Sequence, residues 1–175
     1  MSTRVLLSSK HKVILDGIAA ILKTHPDLHL VGMADDDVDT QALCVQTRPQ
    51  VVVVGVDPRR AGDVALTRWI AQLAPRPEIV AFSTECDRGA VLQMMQAGAN
   101  SFVSTQSSMD ELLQAIRAAG AGRAYVCPSA GAVMVDGLRH AAKPKALGHH
   151  LGDREEQVLC LIADGYSSKE IARNL

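Results

Sequence analysis

Between Pro49 and Pro58 the chain reads Gln50-Val51-Val52-Val53-Val54-Gly55-Val56-Asp57. This short β-branched run carries polar groups only at its ends. Such a pattern marks a strand buried on both faces, and strands of that kind sit in the middle of parallel sheets. Both faces must then be covered by helices, which narrows the fold to the α/β class. In open α/β sheets, chemistry collects just outside the carboxyl ends of the central strands. Here that end is Gly55-Val56-Asp57-Pro58.

The flanking sequence supplies the helices and the other strands. Arg4–Ser8 predicts the first strand. His11–Thr24 predicts an amphipathic helix, with Val13, Ile14, Leu15, Ile18, Ile21 and Leu22 at helical spacing before Pro26. Leu28–Met33 predicts a second strand. Val38–Arg48 predicts a second helix with Ala42, Leu43 and Val45 inward. The valine run follows as strand Val51–Gly55. Val64, Leu66, Trp69, Ile70 and Leu73 predict a third helix, ended by Pro75 and Pro77. Glu78–Phe82, Asp87–Ala97, Ser101–Ser104 and Met109–Ala119 continue the alternation, with Gly98 and Gly120 closing the last two helices. Only 3% of residues are aromatic, so the core is expected to be aliphatic. Five strand–helix units with short connections imply a five-stranded, doubly wound parallel sheet.

Past Tyr125 the character changes. Pro128–His140 reads as one more helix, with proline suited to its first turn. Residues 141–150 have no apolar period and read as a linker. Beyond them, Asp153-x-x-Glu156 and Ser167-x-x-Glu170 are two capping boxes. Each opens a short helical pattern, and Gly165 lies between them. Two short helices joined by a glycine turn begin an all-α helix-turn-helix unit. The expected divisions are 1–125, 126–150 and 151–175.

Both halves resemble response regulators of the LuxR/FixJ type. At the C-terminus, Leu151-Gly152-Asp153-Arg154-Glu155 and Gly165-Tyr166-Ser167-Ser168-Lys169-Glu170-Ile171-Ala172 are similar to the opening of that family's DNA-binding domain. At the N-terminus the resemblance rests on Arg4-Val5-Leu6-Leu7, Asp16-Gly17, Arg48-Pro49, Gln96-Ala97-Gly98-Ala99 and Glu111-Leu112-Leu113. It implies a CheY- and flavodoxin-like receiver domain.

A working receiver of this family uses an acidic pair after the first strand to hold Mg²⁺ and a phosphoacceptor aspartate at the end of the third. It also uses a hydroxyl after the fourth and a lysine after the fifth. Threading the motifs puts Ser9 and Lys10 at the acidic pair, Gly55 at the phosphoacceptor and Thr105 at the lysine. Only the hydroxyl position, Ser83, keeps its chemistry, and Phe102 keeps the neighbouring aromatic. Gly55 has no side chain to phosphorylate. Asp57 would require a slipped alignment with no acids to match near Lys10 and Lys12. The resemblance thus implies a degenerate phosphorylation pocket, no catalytic residue and no cofactor or metal. Lys10 reads either as a built-in counter-ion in the metal position or as a loop lysine facing solvent.

In the family, the helix carrying Lys169 and Arg173 lies on the DNA backbone. These two residues are four apart, on one helical face, and are the expected DNA contacts; a plain solvated face is the alternative. The recognition helix is not in this chain, so sequence-specific DNA binding is expected only of a longer protein. A homodimer through helices His11–Thr24 and Met109–Ala119 is the other expected partner. The rival reading is a regulatory interaction protein that dimerises with full-length regulators and holds them off DNA. An enzyme is the least favoured reading, since no phosphate-binding glycine motif follows a strand.

The remaining features are less informative. The net charge of −1 is no attraction for membranes, and no run is long enough to span a bilayer. Four separated cysteines, Cys44, Cys86, Cys127 and Cys160, read as buried thiols of a cytoplasmic protein. Asp35-Asp36-Asp37 reads as a solvated loop at a helix N-terminus. His25, His29, His149 and His150 lack partners at ligand spacing.

Overall fold

The computed structural model describes residues 2–57, 60–84 and 86–141. The expected linker and helix-turn-helix segment, 142–175, lies outside the described residues, and with it Lys169 and Arg173. The chain divides into two units, Met1–Gly137 and Leu138–Leu175. The fold given below is that of the first.

Five strands alternate with five helices: β1 (Thr3–Ser8), α1 (Lys12–Leu22), β2 (Leu28–Ala34), α2 (Asp37–Thr47), β3 (Val51–Val56), α3 (Ala61–Ala71), β4 (Glu78–Ser83), α4 (Arg88–Ala97), β5 (Ser101–Ser104) and α5 (Met109–Gly120). A sixth helix, α6 (Pro128–Ala141), follows. The strands are parallel, in the order β2-β1-β3-β4-β5. The valine strand β3 is central, as its two-sided burial requires.

Side chains alternate across a strand, and β3 divides its valines between two cores. Val52, Val54 and Val56 pack with Cys44 of α2, Val64 and Ile70 of α3, and Val91 and Met94 of α4. Val51 and Val53 pack on the other face with Leu15, Ile18 and Leu22 of α1 and Leu112, Leu113 and Ile116 of α5. The sheet is therefore covered on both sides, and the order of strands reverses direction between β1 and β3.

Some helix faces differ from expectation. In α2 the buried residues are Thr40 and Cys44; Val45 is 62% exposed, and Ala42 is also exposed. In α1, Val13 is 85% exposed. In each helix the stripe that meets the sheet is narrower than the set of apolar residues. Gly98 closes α4 in a left-handed conformation (φ 114°). Gly120 instead lies inside α5, where a Cβ would come within 2.7 Å of Thr3, and the left-handed residue there is Gly122. The first turn of α5 is held by a capping box between Ser108 and Glu111.

The first compact unit also takes in the start of α6. The Phe102 N–H donates to the Tyr125 carbonyl (2.9 Å) and the Cys127 N–H to the Phe102 carbonyl (3.0 Å). Residues 125–127 thus lie along the open edge of β5, and Cys127 and Ala130 are buried behind them.

Candidate functional site

At the carboxyl ends of β1 and β3, where the strand order reverses, lies a cavity of about 230 Å³. Ligands of open α/β folds bind at this topological position. Of the residues singled out from the sequence, Ser9, Lys10, Gly55 and Thr105 all line it. Ser83 and Phe102 do not. β4 pairs with β3 in a register that sets Phe82 beside Gly55 and Ser83 beside Val56. By strand alternation, Phe82 shares the face of Gly55 and Ser83 turns to the other. The hydroxyl in the lining is that of Thr84. Ser83 is 1% exposed, and Phe102 is fully buried in the core under α3 and α4.

Ser9 occupies the space in front of Gly55. A Cβ built on Gly55 would lie 2.6 Å from Ser9 Oγ and 2.8 Å from Ser9 Cβ. Ser9 is itself buried, and its Oγ accepts the His11 N–H at 3.3 Å. The absent side chain at Gly55 is thus a packing requirement.

Lys10 remains partly exposed, but its ammonium turns to the buried Asp63. Its Nζ donates to Asp63 Oδ1 at 2.7 Å and lies 3.3 Å from Asp37 Oδ1. Asp63 belongs to the first turn of α3, and its side chain is 6% exposed. The other oxygen of that carboxylate, Oδ2, accepts the Asp57 N–H at 2.9 Å. One buried carboxylate therefore joins the loop after β1 to the loop after β3. Burial disfavours the Lys10 ammonium, but Asp63 and then Asp37 outweigh it and hold its pKa above the ordinary lysine value. The acidic run of residues 35–37 is put to structural use: Asp35 pairs with Lys12 at 2.8 Å, Asp36 caps α2 through the Asp39 N–H, and Asp37 meets Lys10.

Three participants escaped the sequence reading: Asp63, Arg60 and Thr84. A signal for Asp63 was present. Asp63, Thr67 and Ile70 fall at i, i+4 and i+7 on the buried stripe of α3, and a carboxylate on such a stripe requires a cation or donors. The sequence offered Lys10 as a counter-ion in this pocket but did not name Asp63 as its partner. Arg60 and Thr84 sit in loops, where no periodicity shows which way a side chain faces.

A parallel sheet in this order, with a pocket at its switch point framed by the loops after β1, β3, β4 and β5, is the architecture of a signal-receiver domain. Residues 5–117 match the response regulator receiver domain, and the chain belongs to that family. Over 173 residues it is 32% identical to the transcriptional regulatory protein LiaR of Bacillus subtilis, covering 98% of this chain and 82% of the relative. Over 169 residues it is 28% identical to the DNA-binding transcriptional activator DevR/DosR of Mycobacterium tuberculosis, covering 97% and 78%. Among solved structures, a LuxR-family two-component response regulator from Aurantimonas sp. SI85-9A1 superposes with a TM-score of 0.73 at 26% identity. That match covers 79% of this chain and 99% of the other. Among the described residues, no helix is long and apolar enough to cross a membrane.

Proposed function

We propose that this chain is an atypical response regulator whose receiver works without aspartyl phosphorylation. The observation that carries the reading is the ion pair of Lys10 with the buried Asp63 at 2.7 Å. Receivers of this family take Mg²⁺ at the acidic pair after β1, and Mg²⁺ requires oxygen ligands in a near-octahedral set. Here the pair corresponds to Ser9 and Lys10, and an ammonium already neutralises the nearest buried carboxylate. The residues present do not fit the metal, so no step runs through it. Ser9 fills the space of the phosphoacceptor side chain, Gly55 offers no carboxylate, and Thr105 brings no positive charge.

In this reading the pocket is a fixed structural joint. Lys10 acts as a tethered cation between the loops after β1 and β3, where a receiver with a metal would exchange ions with solvent. Control of the protein then rests on dimerisation, ligand or partner binding. Residues 1–125 form the receiver, 126–150 the connecting helix and linker, and 151–175 the helix-turn-helix segment. Lys169 and Arg173 of that segment contact DNA phosphates, and the output is transcriptional regulation. The relatedness to DevR/DosR, described as a DNA-binding transcriptional activator, supports that output. A homodimer through α1 and α5 belongs to the same reading, and the exposed Val13 offers an apolar contact on α1.

The test is incubation with acetyl phosphate, and separately with beryllofluoride, in the presence of Mg²⁺. Intact mass and the amide NMR spectrum should not change. A stoichiometric acid-labile phosphoryl adduct, mapped to Asp57 or any other carboxylate of the pocket, would overturn the proposal.

A further inference from the structure

On the far side of β4 from the Lys10 pair, three side chains meet that the receiver function does not use. Cys86 lies in the loop between β4 and α4, and Cys127 immediately precedes Pro128 at the start of α6. Both thiols bond the same hydroxyl. Cys86 Sγ donates to Ser129 Oγ at 3.6 Å, and Cys127 Sγ lies 3.3 Å from the same oxygen. The shared hydroxyl therefore holds the two sulfurs within about 7 Å of each other. Both are free, Cys127 buried and Cys86 half-buried.

From this geometry we propose that Cys86 and Cys127 form a reversible dithiol–disulfide pair, closed by a peroxide, that ties the β4–α4 loop to the first turn of α6. The exposures divide the roles. Cys86 is the sulfur that an oxidant reaches from solvent. Cys127 is the sulfur prepared to resolve the product. It sits at the N-terminus of a 14-residue helix, with Pro128 in the first turn. Helix N-termini favour a thiolate. Burial pushes the Cys127 thiol up, but Ser129, the Ala130 and Ser104 backbone and the Ser107 side chain outweigh it and bring the net value below that of an ordinary cysteine.

The chemistry balances with the peroxide as oxidant. Burial holds the Cys86 thiol above the ordinary cysteine value, so it reacts through its small thiolate fraction: that thiolate attacks one peroxide oxygen, the O–O bond breaks, and Cys86 becomes a sulfenic acid as hydroxide leaves. The Cys127 thiolate then attacks the Cys86 sulfur, the S–O bond breaks, and a second hydroxide departs. The protons given up by the two thiols convert both hydroxides to water. Overall, two thiols and one peroxide yield one disulfide and two waters. A thiol reductant reverses the bond by exchange. The Ser129 hydroxyl turns aside to let the sulfurs meet. Thr84, two residues from Cys86, lines the receiver pocket, so the bond also restrains one wall of that pocket. This inference stands whether or not the pocket takes phosphate.

The test uses the full 175-residue chain with hydrogen peroxide under non-denaturing conditions. The four cysteines fall in four separate tryptic peptides, so the linkage can be read without ambiguity. Peptides 69–88 and 124–139 should appear joined, and titratable thiols should drop from four to two. Dithiothreitol should restore all four. Cys86→Ser, a loop substitution, should abolish the link, and Cys44→Ala should leave it intact. Oxidation that ends as sulfinic acid on Cys86, a link to Cys44 or Cys160, a link between chains, or no loss of thiols would each overturn the proposal.

Discussion

The contact between Ser9 and Gly55 is the steric constraint at the centre of the receiver pocket, and Gly55→Ala tests it. The new methyl would stand 2.6 Å from Ser9 Oγ and 2.8 Å from Ser9 Cβ. Rotation of Ser9 relieves the first contact at the expense of the long bond to His11. It does not relieve the second, because Cβ is held by the backbone, so β1 and β3 must part locally. Overpacking of this kind costs about 1–3 kcal/mol. Loss of glycine freedom in the unfolded chain offsets about 0.4–1 kcal/mol, leaving a net cost of about 1.3 kcal/mol from the mid-range values. With a urea m-value of about 2 kcal/mol per molar, the unfolding midpoint falls by roughly 0.5–1 M. The single tryptophan, Trp69, packs against the receiver core from α3, so its fluorescence reports this domain alone. Ser9→Gly removes both offending atoms. The double variant should therefore be less destabilised than the two single costs together, by at least about 1 kcal/mol, beyond the scatter expected of independent sites. A Gly55→Ala midpoint equal to or above that of the parent, or strictly additive costs, would refute the steric argument.

Other expectations follow from the same framework. Lys10→Met leaves the Asp63 carboxylate buried without its cation. The pair is only partly buried, so the cost falls between that of exposed and fully buried pairs, about 2 kcal/mol. Lys10→Met with Asp63→Asn should recover part of it, and the urea midpoints of the two variants make the comparison. Gly98→Ala combines a left-handed φ with a Cβ that would lie 2.5 Å from that of Ala71. A loss of about 2–4 kcal/mol is expected, visible as a lowered thermal midpoint, and a neutral result would remove Gly98 from the α3–α4 packing.

What could be read from the sequence was what depends on neighbours along the chain. The valine run declared a doubly buried strand, helical periodicity placed α1 and α3, and the alternation with strands placed α2, α4 and α5 in the right order. The missing carboxylate at Gly55 was equally legible, because a residue's chemistry does not depend on its surroundings. Which apolar residues of a helix meet the sheet was less so. Val13 and Val45 fit a helical period, yet point to solvent, because the docking angle of the helix sets the width of the buried stripe.

The tertiary structure alone decided the pairings. Lys10 and Asp63 are distant in sequence, and only the parallel packing of β1 beside β3 brings the loop of one to the helix after the other. The β3–β4 register, which no single strand encodes, put Phe82 rather than Ser83 beside Gly55. Cys86 and Cys127 meet because residues 125–127 add to the edge of β5 and lead α6 past the β4 loop. Local sequence patterns report burial through their period, but the identity of a buried group's partner is set by register and docking, which exist only once the sheet has formed.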